Sequence, residues 1–161
     1  MIRFRQALVA LFLFAGFAAA APASAQQLVS ATNPEQIASV MRDKGFTVEL
    51  TKDGEGDPMI KSDLDGTLWV VVFYNCTDNR GCKTLQFYMG FTEPVISNDR
   101  MNGWNQKHRF AFAYNDDEGD PVLEMDLDTD HGGMPRVLFE DNLDTWKSLA
   151  GQFIQFVSSD E

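Results

Sequence analysis

Hydrophobic and polar positions along this chain switch between two periods, and the switches mark its elements. Asn33-Pro34-Glu35-Gln36 offers a capping Asn, a proline in the first turn and Gln three residues after the cap. Ile37, Val40, Met41 and Lys44 follow at helical spacing until Gly45, so a helix is predicted there. The period drops to two in Phe46-Thr47-Val48-Glu49-Leu50, a half-buried strand, and a second strand is expected from Met59 to Leu64. Thr67 to Asn75 is apolar on both sides of the pleat, with Trp69, Val71 and Phe73 on one and Leu68, Val70, Val72 and Tyr74 on the other. A strand of that kind belongs in the middle of a sheet, and its second face must be covered by another layer or become an interface.

A hairpin then returns through Leu85-Gln86-Phe87-Tyr88-Met89. After Pro94, Ser97-Asn98-Asp99 opens a second helix carrying Met101, Trp104 and His108, and Phe110 to Tyr114 reads as the next strand. Val122 to Asp128 alternates cleanly, which places Leu123, Met125 and Leu127 inward and Glu124, Asp126 and Asp128 toward water. Past Gly132-Gly133 and Pro135 comes a long amphipathic helix with Leu138, Phe139, Asn142, Leu143, Trp146, Leu149, Ala150, Phe153 and Phe156 on one face. The order α-ββββ-α-ββ-α predicts one α+β domain over 33–158, an antiparallel sheet packed with helices.

An internal echo supports this reading. Asp53-Gly54-Glu55-Gly56-Asp57-Pro58, running on to Asp63-Leu64-Asp65, returns as Asp116-Asp117-Glu118-Gly119-Asp120-Pro121, running on to Asp126-Leu127-Asp128. Each copy reads as a Gly-Asp-Pro turn between extended segments, and a helical segment precedes each. The chain therefore looks like two versions of one α-β-β unit.

The first 25 residues have another character. Arg3 and Arg5 precede an apolar run from Ala7 to Ala21, which ends in Pro22 and the small-residue site Ala23-Ser24-Ala25. This is the form of a secretory signal peptide (1–25), too short to span a bilayer as a retained helix, with cleavage expected after Ala25. The mature protein is expected to be periplasmic or secreted and free of the membrane.

The leader holds two of the 13 basic residues and none of the 24 acidic ones, so the mature chain is more acidic than the formal −11 of the whole. Such a surface repels phosphate backbones and anionic membranes, which argues against nucleic-acid binding. Cys76 and Cys82 are the only cysteines and enclose a turn-rich Thr77-Asp78-Asn79-Arg80-Gly81. In an oxidising compartment a disulfide closing this hairpin is the natural expectation; zinc would need more ligands, and a redox pair more often has two intervening residues.

Candidate chemistry is sparse. Asp126-Leu127-Asp128-Thr129-Asp130 begins like a calcium-binding loop, but His131 stands where Gly is needed and Val137 where the bidentate Glu should be. Asp126, Asp128 and Asp130 are thus weak metal candidates, equally readable as a solvated strand face; with His131 they give the alternative of a calcium-binding protein or a metal-dependent hydrolase. No nucleophile elbow, phosphate loop or dinucleotide fingerprint occurs, and no cofactor is expected. Asn102-Gly103-Trp104-Asn105 with Arg109-Phe110 forms the most distinctive polar and aromatic cluster. It reads either as core packing with backbone ties or as a partner-binding face.

In order along the chain, Gly45-Phe46, Gly56-Asp57-Pro58, Phe73-Tyr74-Asn75-Cys76 with Cys82, Leu85-Gln86-Phe87, Asn102 through Asn105, Arg109-Phe110, Ala113-Tyr114, Asp120-Pro121, Leu123-Glu124-Met125-Asp126 and Gly132-Gly133 resemble the YbjN family of bacterial proteins, labelled sensory transduction regulators. The resemblance implies a fold similar to type III secretion chaperones, which are binding modules that often dimerise and have no catalytic centre. The export signal and the cysteine pair set this chain apart from the cytoplasmic relatives. The expected function is a non-enzymatic exported binding or regulatory module. It would hold a protein segment or a second copy of itself, on an apolar sheet face or in a groove beside the helix at 98–108. Trp69, Phe73, Tyr88, Asn102, Trp104, Asn105 and Arg109 are the candidate contact residues.

Overall fold

The computed structural model describes residues 27–159; the expected signal peptide lies outside the described residues. The elements are β1 (Leu28–Val29), α1 (Pro34–Asp43), β2 (Glu49–Lys52), β3 (Pro58–Leu64), β4 (Thr67–Tyr74), β5 (Thr84–Gly90), α2 (Asn98–Lys107), β6 (Phe112–Asn115), β7 (Pro121–Asp128), β8 (Met134–Pro135) and α3 (Arg136–Ser158). Six strands form one antiparallel sheet in the order β2-β3-β4-β5-β7-β6, while β1 and β8 pair separately. The expected α+β architecture and element order hold, with the short β1-β8 ladder added.

The internal echo fixes the symmetry. The hairpins β2-β3 and β6-β7 sit at opposite edges of the sheet, each preceded by a helix, and β4 pairs with β5 at its middle. In the first turn Asp53 Oδ1 accepts from the backbone N–H of Glu55 and Asp57, and the Asp53 N–H donates to the Asp57 carbonyl. Asp116 repeats all three bonds with Glu118 and Asp120. Gly56 and Gly119 adopt φ of 93° and 88°, a left-handed conformation that side chains resist. Aspartate, glycine and proline at these offsets therefore specify the same turn twice.

One face of the sheet is sealed by helices. Ile60, Trp69, Val71, Phe73, Leu85, Phe87, Met89, Leu123 and Met125 are buried together with Ile37, Met41, Phe139, Leu143, Trp146 and Phe153 from the helical layer. Trp69 lies at the centre, its ring centroid 5.7 Å from each of Phe46, Phe87 and Trp146. Along α3 the buried stripe runs Phe139, Leu143, Trp146, Ala150, Phe153 and Val157, alternating steps of four and three. Leu138 falls one residue off that stripe, so it is exposed beside Val137 and does not join the apolar face as expected.

Polar ties fix the helices. Asn33 caps α1 through the N–H of Gln36, as its position predicts. Arg100 of α2 donates to the carbonyls of Phe156 and Ser159 at 2.8 Å and lies over the Phe156 ring, closing the C-terminus of α3. Arg136 bridges Glu140 and Asp43, both at 2.7 Å, and so joins α3 to α1.

Two strands begin later than expected. Phe110 has φ of 75°, which interrupts the extended run, and β6 starts at Phe112. The alternation from Phe46 pairs with β3 only from Glu49 onward.

Cys76 and Cys82 form a disulfide, as expected. Within its loop Asp78 and Asn79 both have positive φ, and Thr77 pairs with Arg80 in a tight two-residue hairpin. The Asn79 amide donates to Asp57 Oδ1 at 2.8 Å and to the Glu55 carbonyl at 3.2 Å, so the disulfide hairpin leans on the first acidic turn.

Candidate docking face

Alternate residues of the same strands build the other face, and no helix or strand among the described residues covers it. Strand register sets its rows. Lys61, Val70, Tyr88, Glu124 and Phe112 lie side by side, flanked by Met59, Val72, Gln86 and Asp126 in the next row. Leu68 is 58% exposed, Tyr74 45% and Phe112 44%. The two-sided apolar strand at 67–75 thus has one side in the core and the other open, where an interface was expected in the absence of a second layer.

All three tyrosines of the chain stand on this face. The Tyr114 hydroxyl donates to Glu124 Oε1 at 2.7 Å. The Gln86 amide donates to Glu124 Oε2 at 3.3 Å and to Asp126 Oδ1 at 2.9 Å, while the Tyr74 hydroxyl donates to Gln86 Oε1 at 3.4 Å. Tyr88 lies back over Gly90, where an added Cβ would come within 2.9 Å of its hydroxyl. Glycine at 90 therefore lets the phenol lie along the sheet.

Glu124 departs from the expected outward, solvated position: it is only 8% exposed, because Tyr114 and Gln86 close over its carboxylate. Burial raises its pKa above the ordinary carboxylate value; the Tyr114 bond opposes that rise and the nearby Asp126 adds to it. Burial is also the main cause raising the pKa of all three tyrosines. Carboxylates add to it, including Asp53 and Glu55 of the first acidic turn at Tyr74, and Asp116 and Asp120 of the second at Tyr88. The paired turns thus frame the open face with negative charge from two sides.

The structure sorts the predicted contact residues. Trp69, Phe73 and Trp104 are buried in the core, which removes them as exposed anchors; Trp69 and Phe73 face the helices, and Trp104 packs on Phe153 and stacks on His108. Tyr88 is on the open face. Asn105 acts as a clamp: its amide donates to the Ala113 carbonyl and accepts from the Ala113 N–H, both at 2.8 Å, closing the free edge of β6. Asn102 is exposed on α2. Arg109 lies over the exposed Phe110 ring at 5.0 Å, beside a shallow groove between the end of α2 and residues 144–149 of α3. Tyr74, Tyr114, Gln86 and Glu124 are absent from the contact residues expected from sequence, although the alternation of β4, β5 and β7 places them on one side.

Asp128, Asp130 and His131 line one shallow cavity with Lys83, and Asp126 lines the adjoining one with Asp128. Asp126 is held by Gln86, Asp128 accepts from the Asp130 N–H, and Asp130 accepts from the His131 N–H with Lys83 3.5 Å away. Hydrogen bonding to the His131 backbone is the main cause lowering the Asp130 pKa. No group of three or more His, Cys, Asp or Glu side chains among the described residues could hold a metal ion.

No curated protein and no solved structure matches this chain. A family model described as YbjN, putative bacterial sensory transduction regulator, matches residues 33–158, a span that runs from the cap of α1 to the end of α3 and contains the whole open face. The chain belongs to the YbjN family.

Proposed function

We propose that this protein is an exported, non-enzymatic docking module that holds a protein partner against the open face of its sheet. The observation that carries the reading is the uncovered side of β4 and its neighbours, where Leu68, Tyr74 and Phe112 are exposed and Val70, Val72 and Tyr88 half-buried, on a six-stranded sheet whose opposite side packs against the helices. Large exposed apolar areas on a rigid scaffold mark interaction sites, and tyrosines supply contact area that tolerates water when the partner is absent. The regulator description of the family agrees with a binding role. Export rests on the leader, and N-terminal sequencing of the mature protein should begin at Gln26.

Photo-crosslinking in cells tests the docking site. A benzoylphenylalanine at Leu68 should yield a discrete crosslinked species, while the same probe at Ser148 on the helical layer should not. Crosslinks from Ser148 alone, or from neither position, would refute the reading.

A further inference from the structure

Charge decides what kind of partner the open face accepts. Its centre is apolar and aromatic, but β7 contributes Glu124, Asp126 and Asp128 to the same side, and the two acidic turns lie close enough to act on Tyr74 and Tyr88. Lys61 is the basic side chain that the strands place there among the described residues, and it stands across from Glu49. Two copies pressed together through this face would oppose like charges, which disfavours self-association. A neutral apolar partner would leave Glu124 and Asp126 desolvated without a counter-ion.

Resting on the docking reading above, we propose that the partner is a protein segment that alternates apolar side chains with arginine, and that an arginine packs beside Tyr88 and Phe112 while its guanidinium takes the place of the Gln86 amide, which in the free protein bridges Glu124 and Asp126. Arginine fits this arrangement better than lysine. Its planar guanidinium packs on a phenol ring and forks onto carboxylates, whereas an ammonium is a compact charge that keeps its water. Tyr88 and Phe112 flank Glu124 in one row of the sheet, and the Phe112 and Tyr114 rings stack at 5.8 Å. A cation that displaces the Gln86 amide therefore meets rings on either side of the carboxylate. Six strands span about 24 Å, wide enough for one helix or a pair of extended segments.

The test pans a random peptide display library against the full chain, purified after export with its own leader. Arginine interleaved with apolar residues should be enriched. The Glu124→Gln/Asp126→Asn pair should weaken the selected peptides about tenfold, the effect of losing one charge-assisted contact. Asp126→Asn alone should weaken them in the same direction and guards against a folding defect at Glu124. Neutralising Asp99 and Asp141 on the helices, an equal loss of charge, should leave binding within about twofold if rim charges matter little. Peptides that footprint on the open face but carry no enrichment in arginine would overturn the arginine inference and leave the docking reading standing. An equal loss with either pair of substitutions would show diffuse attraction to an acidic protein and would also overturn it. Dimerisation seen by light scattering and abolished by Leu68→Glu would assign the face to a second copy, against the proposal. Selected peptides that never protect the open face would remove the docking reading itself.

Discussion

The two faces of this sheet are made from the same strands, residue by alternate residue, yet they solve different problems. All three tryptophans are buried in the core, and no protein group among the described residues accepts from their indole N–H groups. All three tyrosines are on the open side, where Tyr74 and Tyr114 are hydrogen-bonded into the Gln86-Glu124 network. Ring packing around Trp69 and Trp146 holds the indoles there. The phenols combine ring area with a polar end that water can reach. One face is closed by the helices, and the other lies open to water.

Substitution should separate the faces most sharply at adjacent residues. Trp69→Ala, on the closed side, should cost about 3 to 5 kcal/mol in urea unfolding, because it leaves a cavity among Phe46, Phe87 and Trp146. Leu68→Ser, its neighbour on the open side, should stay within about 0.5 kcal/mol of wild type. Similar losses at the two positions would mean that something covers the open face in the free protein.

A smaller effect is expected where the disulfide hairpin meets the first acidic turn. Replacing Cys76 and Cys82 together by serine should cost about 2 to 2.5 kcal/mol, the loop-entropy value for a ring of this size. Urea unfolding with and without reductant checks it, and the reductant should matter only for wild type.

The smallest effect tests Glu124. Its pKa is raised in the folded state, so folding favours the protonated form and the ionised carboxylate is a burden above the raised value. Glu124→Gln should therefore melt slightly higher than wild type at neutral pH, by less than about 1 kcal/mol in stability. The gap should close as pH falls through the raised value toward the ordinary carboxylate range. A variant that is less stable at every pH would show that the Tyr114 bond needs the charge.

Much of the scaffold is legible in the amino-acid sequence. The Asp-Gly-Asp-Pro echo named both edge hairpins because its chemistry is local: an aspartate accepting from its own turn and a glycine with positive φ. The cysteine pair and the Asn33 cap were equally local. What escaped depends on distant partners. Both sides of 67–75 are apolar, so periodicity alone could not say which side the helices cover, and Trp69, Phe73 and Trp104 were offered as contacts when packing had taken them. Glu124 was read as solvated because its cover comes from Tyr114 and from Gln86, 38 residues away. The Asn105 clamp was visible only as one of two explanations for a polar cluster.

The central claim is that the open face is occupied in the cell while the helical layer is not. Hydroxyl-radical footprinting compares the purified protein with the same protein in intact cells. Leu68, Tyr74 and Phe112 should be oxidised readily when purified and protected in the cell, with Val137 and Leu138 on the helical layer oxidised equally in both. Equal oxidation of the open face in the two settings, or protection confined to Val137 and Leu138, would contradict the account.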